Sequence, residues 1–362
     1  ILLHKTYSEL EGVANRMRRM KQRFGLLLAV VATFGLMLMV SHQPVQAEKV
    51  TYSVTPVYPD NQTDTELGYY DLKVTPGRKQ EVGVRVQNSG TKPITVDVTP
   101  TTATTNENGL IDYTGTNTKR DSSLKYSFSD MMSGAQRVKV PANGEQTVTF
   151  DLTVPNESFK GLVLGGFYIS QVPKSQVDQA LERKGGATLT NQYAYILAAK
   201  LTESDEMVHP SLRLNKVKAG LLNSHTAVLA NVQNVKANSV GKMAVKGEIR
   251  KVGSNKVLYQ NKRSDLEMAP NSNFNYGIDL KNQPLKAGKY NIKLRVTSNK
   301  RSWLLSKNFE ITRQEVAKYN DKAVELPENN NWWLYVIIGI IIVIILLLII
   351  LLWRKSRKDK EQ

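Results

Sequence analysis

Lys289-Tyr290-Asn291-Ile292-Lys293-Leu294-Arg295-Val296 alternates strictly between polar and apolar residues. Successive side chains of a strand point to opposite faces, so this stretch reads as a half-buried β-strand. Tyr290, Ile292, Leu294 and Val296 face a core, and a basic row faces water. Just ahead of it, Leu285-Lys286-Ala287-Gly288 supplies a turn, and turn plus Tyr290 matches the opening of a late strand in immunoglobulin-like sandwiches. The same period of two recurs upstream. Val228, Ala230 and Val232 alternate with Leu229, Asn231 and Gln233, and the runs Val240 to Lys251 and Val257 to Gln260 flank a turn at Gly253-Ser254-Asn255.

Further towards the N-terminus the pattern repeats with other residues. Val82, Val84 and Val86 form one alternating set, Ile94, Val96 and Val98 a second, and Val148, Phe150, Leu152 and Val154 a third. Turn residues separate them at Pro76-Gly77, Asn88-Ser89-Gly90, Asn108-Gly109 and Ala142-Asn143-Gly144. Many short alternating strands with such punctuation predict an all-β chain with two immunoglobulin-like β-sandwich domains in tandem. The first is expected over 48–172, with a long inserted loop from Tyr113 to Gln136. Around Ser175 to Gly186 a cap, an i, i+3, i+4 apolar set and two glycines predict a helical connector over 173–190. The second sandwich is expected over 191–313, although the strand ending at Leu201 has the option of pairing with the first. The polar segment 314–331, with Pro327 and three successive Asn, reads as a stalk.

Both ends of the chain carry apolar runs. Leu334 to Leu352 is uncharged and interrupted only by Tyr335 and Gly339. At ~1.5 Å per residue a helix of that run is about 28 Å long, against a hydrocarbon core of ~30 Å. With Trp332, Trp333 and Trp353 at the two interfaces, 332–353 is expected to be one C-terminal transmembrane helix. Arg354, Lys355, Arg357 and Lys358 follow at once and place the tail 354–362 in the cytoplasm by the positive-inside rule. At the other end, a basic cluster from Arg16 to Arg23, an apolar run from Phe24 to Val40 and Val45-Gln46-Ala47 predict a cleaved signal peptide over 1–47. An uncleaved anchor is the alternative. The expected location is the cell membrane, with the sandwiches on the wall side.

The chain has no cysteine, which rules out disulfides, thiol catalysis and cysteine metal sites and points to a bacterial surface. Its net charge of +17 is uneven: residues 48–173 are slightly acidic, whereas 174–331 carry 26 basic and 14 acidic residues. For an exported chain the matching partner is an anionic wall polymer, a membrane surface or an acidic protein rather than nucleic acid. A solvated lysine-rich surface explains the excess equally well.

Motifs for chemistry are sparse. Outside the leader the histidines are His209 and His225, too few for a Ser/His/Asp triad or a metal set. Ser122-x-x-Lys125 has the serine-to-lysine spacing of penicillin-recognising enzymes, but the companion motifs are missing. Asp60, Asp64, Glu66 and Asp71 offer carboxylates for Ca²⁺ without a glycine-bearing ligand loop, so a solvated acidic loop is favoured. Leu326-Pro327-Glu328-Asn329-Asn330 has the layout of a sorting signal but carries Asn at both positions flanking the cleaved bond. No cofactor is expected.

One set of residues resembles a known family. Val57-x-Pro59-x-Asn61-Gln62, Gly68-Tyr69-Tyr70-Asp71-Leu72, Pro76-Gly77, Asn108-Gly109 followed by Tyr113, and Gly161 with Gly165-Gly166 look like the WxL-interacting proteins of Gram-positive bacteria. Leu212-x-Leu214 and Ala287-Gly288-x-Tyr290 carry the looser match of the second domain. The resemblance implies a non-enzymatic cell-surface protein. Its first domain would bind peptidoglycan, and its second a WxL-domain surface protein or a host extracellular protein. Asn61, Gln62, Tyr69, Tyr70, Gly165 and Gly166 are the candidate binding or motif residues. Tyr69 and Tyr70 point to opposite faces, so at most one is core and the other is free to stack on a sugar ring. A wall-active enzyme or an extracytoplasmic chaperone on the same sandwiches is the alternative function.

Overall fold

The computed structural model describes residues 50–117, 119–172, 193–326 and 332–358. The expected signal peptide and helical connector lie outside them. The first sandwich packs a three-stranded sheet against a five-stranded one. The smaller holds β1 (Tyr52–Val57), β3 (Lys79–Asn88) and β8 (Gly144–Thr153) in the order β1-β3-β8. The larger runs β2-β10-β9-β4-β7, from β2 (Tyr70–Lys73), β4 (Ile94–Thr102), β7 (Gln136–Val140), β9 (Leu162–Gln171) and β10 (Ala194–Thr202). A small hairpin, β5 (Thr104–Thr105) with β6 (Ile111–Asp112), and the short helix α1 (Phe128–Met131) lie in and around the expected insertion.

The alternation seen in sequence becomes the core. Val82, Val84, Val86, Val96, Val98, Phe150 and Leu152 are all buried. At the centre the Phe167 ring meets those of Tyr70, Phe128 and Phe150 at centroid distances of 5.7, 5.8 and 4.9 Å.

β10 takes the option, open in the sequence, of pairing with the first sandwich. It pairs antiparallel with β9 from Ala194↔Ser170 to Thr202↔Leu162, and parallel with β2. This register buries Leu197, Ala199 and Leu201 in the first core. Tyr52 and Tyr195 lock the start of β10 to β1 by Oη bonds to Tyr193 O (2.7 Å) and Tyr52 O (2.8 Å). Burial pushes the Tyr52 hydroxyl up to about 12.

The second sandwich has seven strands. β11 (Leu212–Leu222), β12 (His225–Asn234) and β15 (Ser272–Asp279) form one sheet in that order. β13 (Val240–Lys251), β14 (Val257–Met268), β16 (Gly288–Ser298) and β17 (Arg301–Ile311) form the other in the order β14-β13-β16-β17. Tyr290 Oη donates to Lys286 O at 2.9 Å, four residues upstream, the corner contact that the turn-plus-tyrosine reading implies.

The expected stalk is folded where it is described. α2 (Arg313–Lys322) begins at a capping box: Thr312 N donates to Glu315 Oε2 at 2.9 Å, and Glu315 N to Thr312 Oγ1 at 3.2 Å. Val316 and Tyr319, three apart and so on one face, pack against the second core, while Asn320 brackets the Leu285 backbone. Three well-placed residues therefore anchor a helix whose composition is otherwise polar.

α3 spans Trp332–Lys358, and Val336 to Ile350 are exposed apolar side chains interrupted by Gly339. Among the described residues no helix is long and apolar enough to cross a membrane.

Candidate functional site

The motif residues gather in two places. The first is the loop 59–69 together with β2, into which it leads. Asn61 Nδ2 donates to Lys73 O (2.9 Å), while its Oδ1 accepts from Gln80 Nε2 (2.8 Å). Gln62 Nε2 donates to Asp64 O (2.7 Å) and Tyr69 O (3.1 Å), and its Oε1 accepts from Asp71 N (3.0 Å). Both amides are thus engaged by the chain itself. They brace the loop that carries Tyr69 rather than offering themselves to a ligand.

Tyr70 is fully buried and donates from Oη to Gly83 O at 2.6 Å. Burial pushes its hydroxyl far above the ordinary range. Tyr69 stands 38% exposed on the opposite side. Of the pair, Tyr69 is the one available for stacking.

Gly165 and Gly166 lie mid-strand in β9 beneath Phe128 and Leu197. A Cβ on Gly165 would meet Phe128 Cβ at 2.3 Å and Thr101 O at 2.5 Å, and one on Gly166 would meet Leu197 O at 2.6 Å. Their role is close packing next to the Phe167 cluster. Arg354, Lys355, Arg357 and Lys358 fall in the last turns of α3.

The acidic loop does not converge. Asp71 Oδ2 pairs with Lys200 Nζ at 3.0 Å, and Asp64 Oδ1 accepts from Glu66 N at 2.9 Å. Among the described residues no group of three or more His, Cys, Asp or Glu could hold a metal ion.

The second place is the junction of the two sandwiches, where Asn108-Gly109 sits. Gly109 O accepts from Glu267 N (2.7 Å) and Asn108 O from Arg263 Nη2 (2.6 Å). Burial, with the nearby Glu267, pushes the Tyr113 hydroxyl up.

Asp121, only 8% exposed, is the hub of the junction. It accepts from Ser123 N (2.8 Å), Ser123 Oγ (2.7 Å), Gln233 Nε2 (2.7 Å) and Asn273 Nδ2 (2.5 Å). Burial alone would raise its carboxyl, but these four hydrogen bonds outweigh burial and hold it below the usual carboxylate range. Thr105 Oγ1 to Ser272 Oγ (2.6 Å), Asn271 Nδ2 to Ser123 O (2.9 Å) and Leu162 N to Ala237 O (2.8 Å) complete the interlock. Beside Asp121 opens a cleft of about 880 Å³.

None of Asp121, Gln233 or Asn273 stood out in sequence. The available signal was a period-two row of amides, Asn231-x-Gln233 and Asn273-x-Asn275, on strands that nothing local marks as neighbours.

Comparison with known proteins assigns the chain. Residues 52–171 match the family described as "WxL Interacting Protein, peptidoglycan binding domain", and residues 184–321 match "WxL Interacting Protein, host binding domain". Together the matches cover well over half of the chain, which belongs to the WxL-interacting protein family. Its two modules are therefore surface-binding domains. The second match takes in both β10 and α2, although β10 pairs with the first sandwich.

Among solved structures, the CupB2 chaperone of Pseudomonas aeruginosa is 13% identical, covering 64% of this chain and 92% of its own, at a TM-score of 0.25. The CsuC–CsuE chaperone–tip adhesion subunit complex of Acinetobacter baumannii is 10% identical, covering 62% and 89%, at a TM-score of 0.28. Similarity at this level carries no argument about function. No curated protein matches the chain.

Proposed function

We propose that the protein is a non-enzymatic scaffold, tethered to the membrane at its C-terminal end, that holds peptidoglycan through its first module and a WxL-domain surface protein or a host ligand through its second. The observation that carries this reading is the pair of consecutive binding-module matches on two sandwiches interlocked through Asp121. Two weak contacts presented by one interlocked body reinforce each other through effective concentration, with no catalytic step required.

The tether is read from the apolar run Leu334 to Leu352, long enough to span, and from α3 being apolar on every side over its described part. The basic residues after it put the sandwiches outside and the C-terminus in the cytoplasm. The cationic second module suits an acidic partner, and Tyr69 offers a stacking face for wall sugar.

The test is co-sedimentation of the full chain with purified peptidoglycan sacculi and capture of WxL-domain proteins at low and high salt. Sacculi are expected to retain the wild type, and Tyr69→Ala is expected to weaken that retention. Partner capture should fall steeply as salt rises. Retention no greater than that of an unrelated β-sandwich protein would sink the reading.

A further inference from the structure

The solvent face of the β11-β12-β15 sheet is built from side-chain amides. Asn215 Nδ2 donates to Asn231 Oδ1 and to Gln233 Oε1, both at 3.0 Å. Asn231 Nδ2 donates to Asn273 Oδ1 (2.9 Å) and Asn275 Oδ1 (3.2 Å). The array ends on Asp121, which takes the remaining N–H groups of Gln233 and Asn273.

A carboxylate only accepts, so it dictates which way each amide is turned. Gln233 and Asn273 show N–H to Asp121 and C=O to the sheet. Asn215 and Asn231 must then donate to those carbonyls, and Asn275 must accept from Asn231. Asn275 is left with its N–H pair and Asn215 with its Oδ1, and both residues line the cleft. The outcome is an oriented row of donors and acceptors rather than a set of freely flipping amides.

The array is larger than the interlock needs. Only Gln233 and Asn273 touch Asp121; Asn215, Asn231 and Asn275 extend the row away from the first module along the cleft wall. Asparagine is disfavoured in strands, so three extra ones on one face call for a use beyond docking. A bulge between Leu214 and Val217 sets Asn215 and Lys216 opposite the single residue Asn231, and bulges commonly re-aim side chains at binding sites.

A second cavity of about 400 Å³ adjoins the cleft and shares Asn117, Lys119, Arg120, Asp121 and Asn273 with it. That cavity is lined on the first-module side by the hydroxyl-bearing Thr99, Thr102 and Ser129. Lys119, Lys216 and Lys218 fringe the larger opening.

We propose that this groove binds a saccharide chain bearing hydroxyl and acetamido groups, read by the oriented amides of the second module and the hydroxyls of the first. Amide side chains offer a donor and an acceptor at the separation of vicinal hydroxyls or an acetamido group, and the lysine fringe accommodates carboxylate substituents. The residues lining the larger cleft mostly carry amides, hydroxyls and charges, groups that pair with sugar hydroxyls. The assignment rests on the surface-binding reading and sharpens it, moving the sugar contact from the first module alone to the junction.

The test titrates the full chain, in detergent micelles, with the hexamer of β-1,4-linked N-acetylglucosamine by calorimetry, alongside sacculus co-sedimentation. Asn275→Asp keeps an acceptor facing Asn231 and exchanges the free N–H pair for a second, negatively charged acceptor; it should weaken binding of the uncharged hexamer at least ~10-fold with the unfolding midpoint unchanged. Asn231→Leu cuts the array at its centre and should abolish binding. If that variant folds poorly, Asn275→Asp decides alone. Hexamer binding indifferent to Asn275→Asp, absent in the wild type, or displaced equally by a sugar-free stem peptide would overturn the groove. Sacculus retention alongside any of those results would leave the surface-binding reading standing. Hexamer binding without sacculus retention would support the groove and remove the wall-binding reading.

Discussion

The two sandwiches solve the same packing problem with different materials. The first closes on three aromatic rings around Phe167, needs two glycines beneath it, and takes in β10 from beyond the matched first domain to complete its sheet. The second closes on aliphatic residues such as Val245, Ile249, Ile292 and Leu294, with the buried Tyr276 and Phe274, and commits the outer face of one sheet to amides. The difference teaches that the first module is intolerant at its centre, whereas the second keeps its specialised residues on a surface where substitution changes recognition before stability.

The largest expected effect is at the aromatic cluster. Phe167→Ala should cost about 3–5 kcal/mol, because a fully buried ring with three ring neighbours leaves a cavity that its rigid surroundings cannot refill. Calorimetry should show the first module's transition collapse while the second's persists. Loss of both together would show that they fold as one unit.

Next is the hub. Asp121→Asn turns an N–H pair towards donors on Gln233 or Asn273 and should cost about 1–3 kcal/mol, read as separation of the two thermal transitions.

The same carboxyl sets an acid limit. Its folded value is held below the ordinary 3.8, so its stabilising contribution is complete above that value and is lost as pH falls through the lower folded one. Coupling between the transitions should therefore hold down to about pH 4 and fade below it, and Asp121→Asn should flatten that dependence. A wild type whose coupling fades near neutral pH would point to another group.

The smallest effect is expected at the corner. Tyr290→Phe deletes the bond to Lys286 O and should cost about 0.5–1.5 kcal/mol in the second transition alone.

Much of this architecture was legible from alternation. Tyr290 to Val296, Val82 to Val86 and Val148 to Val154 carry their burial in their spacing, and the structure buries the expected faces. Sheet membership was less so. Tyr195, Leu197, Ala199 and Leu201 alternate identically whichever sheet receives them, and the choice is made by long-range register with β9. α2 was hidden by a polar composition, although Thr312-x-x-Glu315 spelled its cap. The resemblance singled out Asn61, Gln62, Gly165 and Gly166, but only coordinates separate a brace or a packing glycine from a ligand contact. The amide row was invisible because Asn231 and Asn275 become partners only when β12 and β15 pair.

The placement of β10 also bears on how the chain carries load. It is a central strand, flanked by β2 and β9, and the backbone leaves its end at Thr202 on the way to β11. Tension from the second module thus pulls on β10 along its own length. Both flanking ladders must shear together, a sterner barrier than peeling an edge strand bond by bond. A pull passed on from the second module therefore loads a joint held by two ladders rather than one.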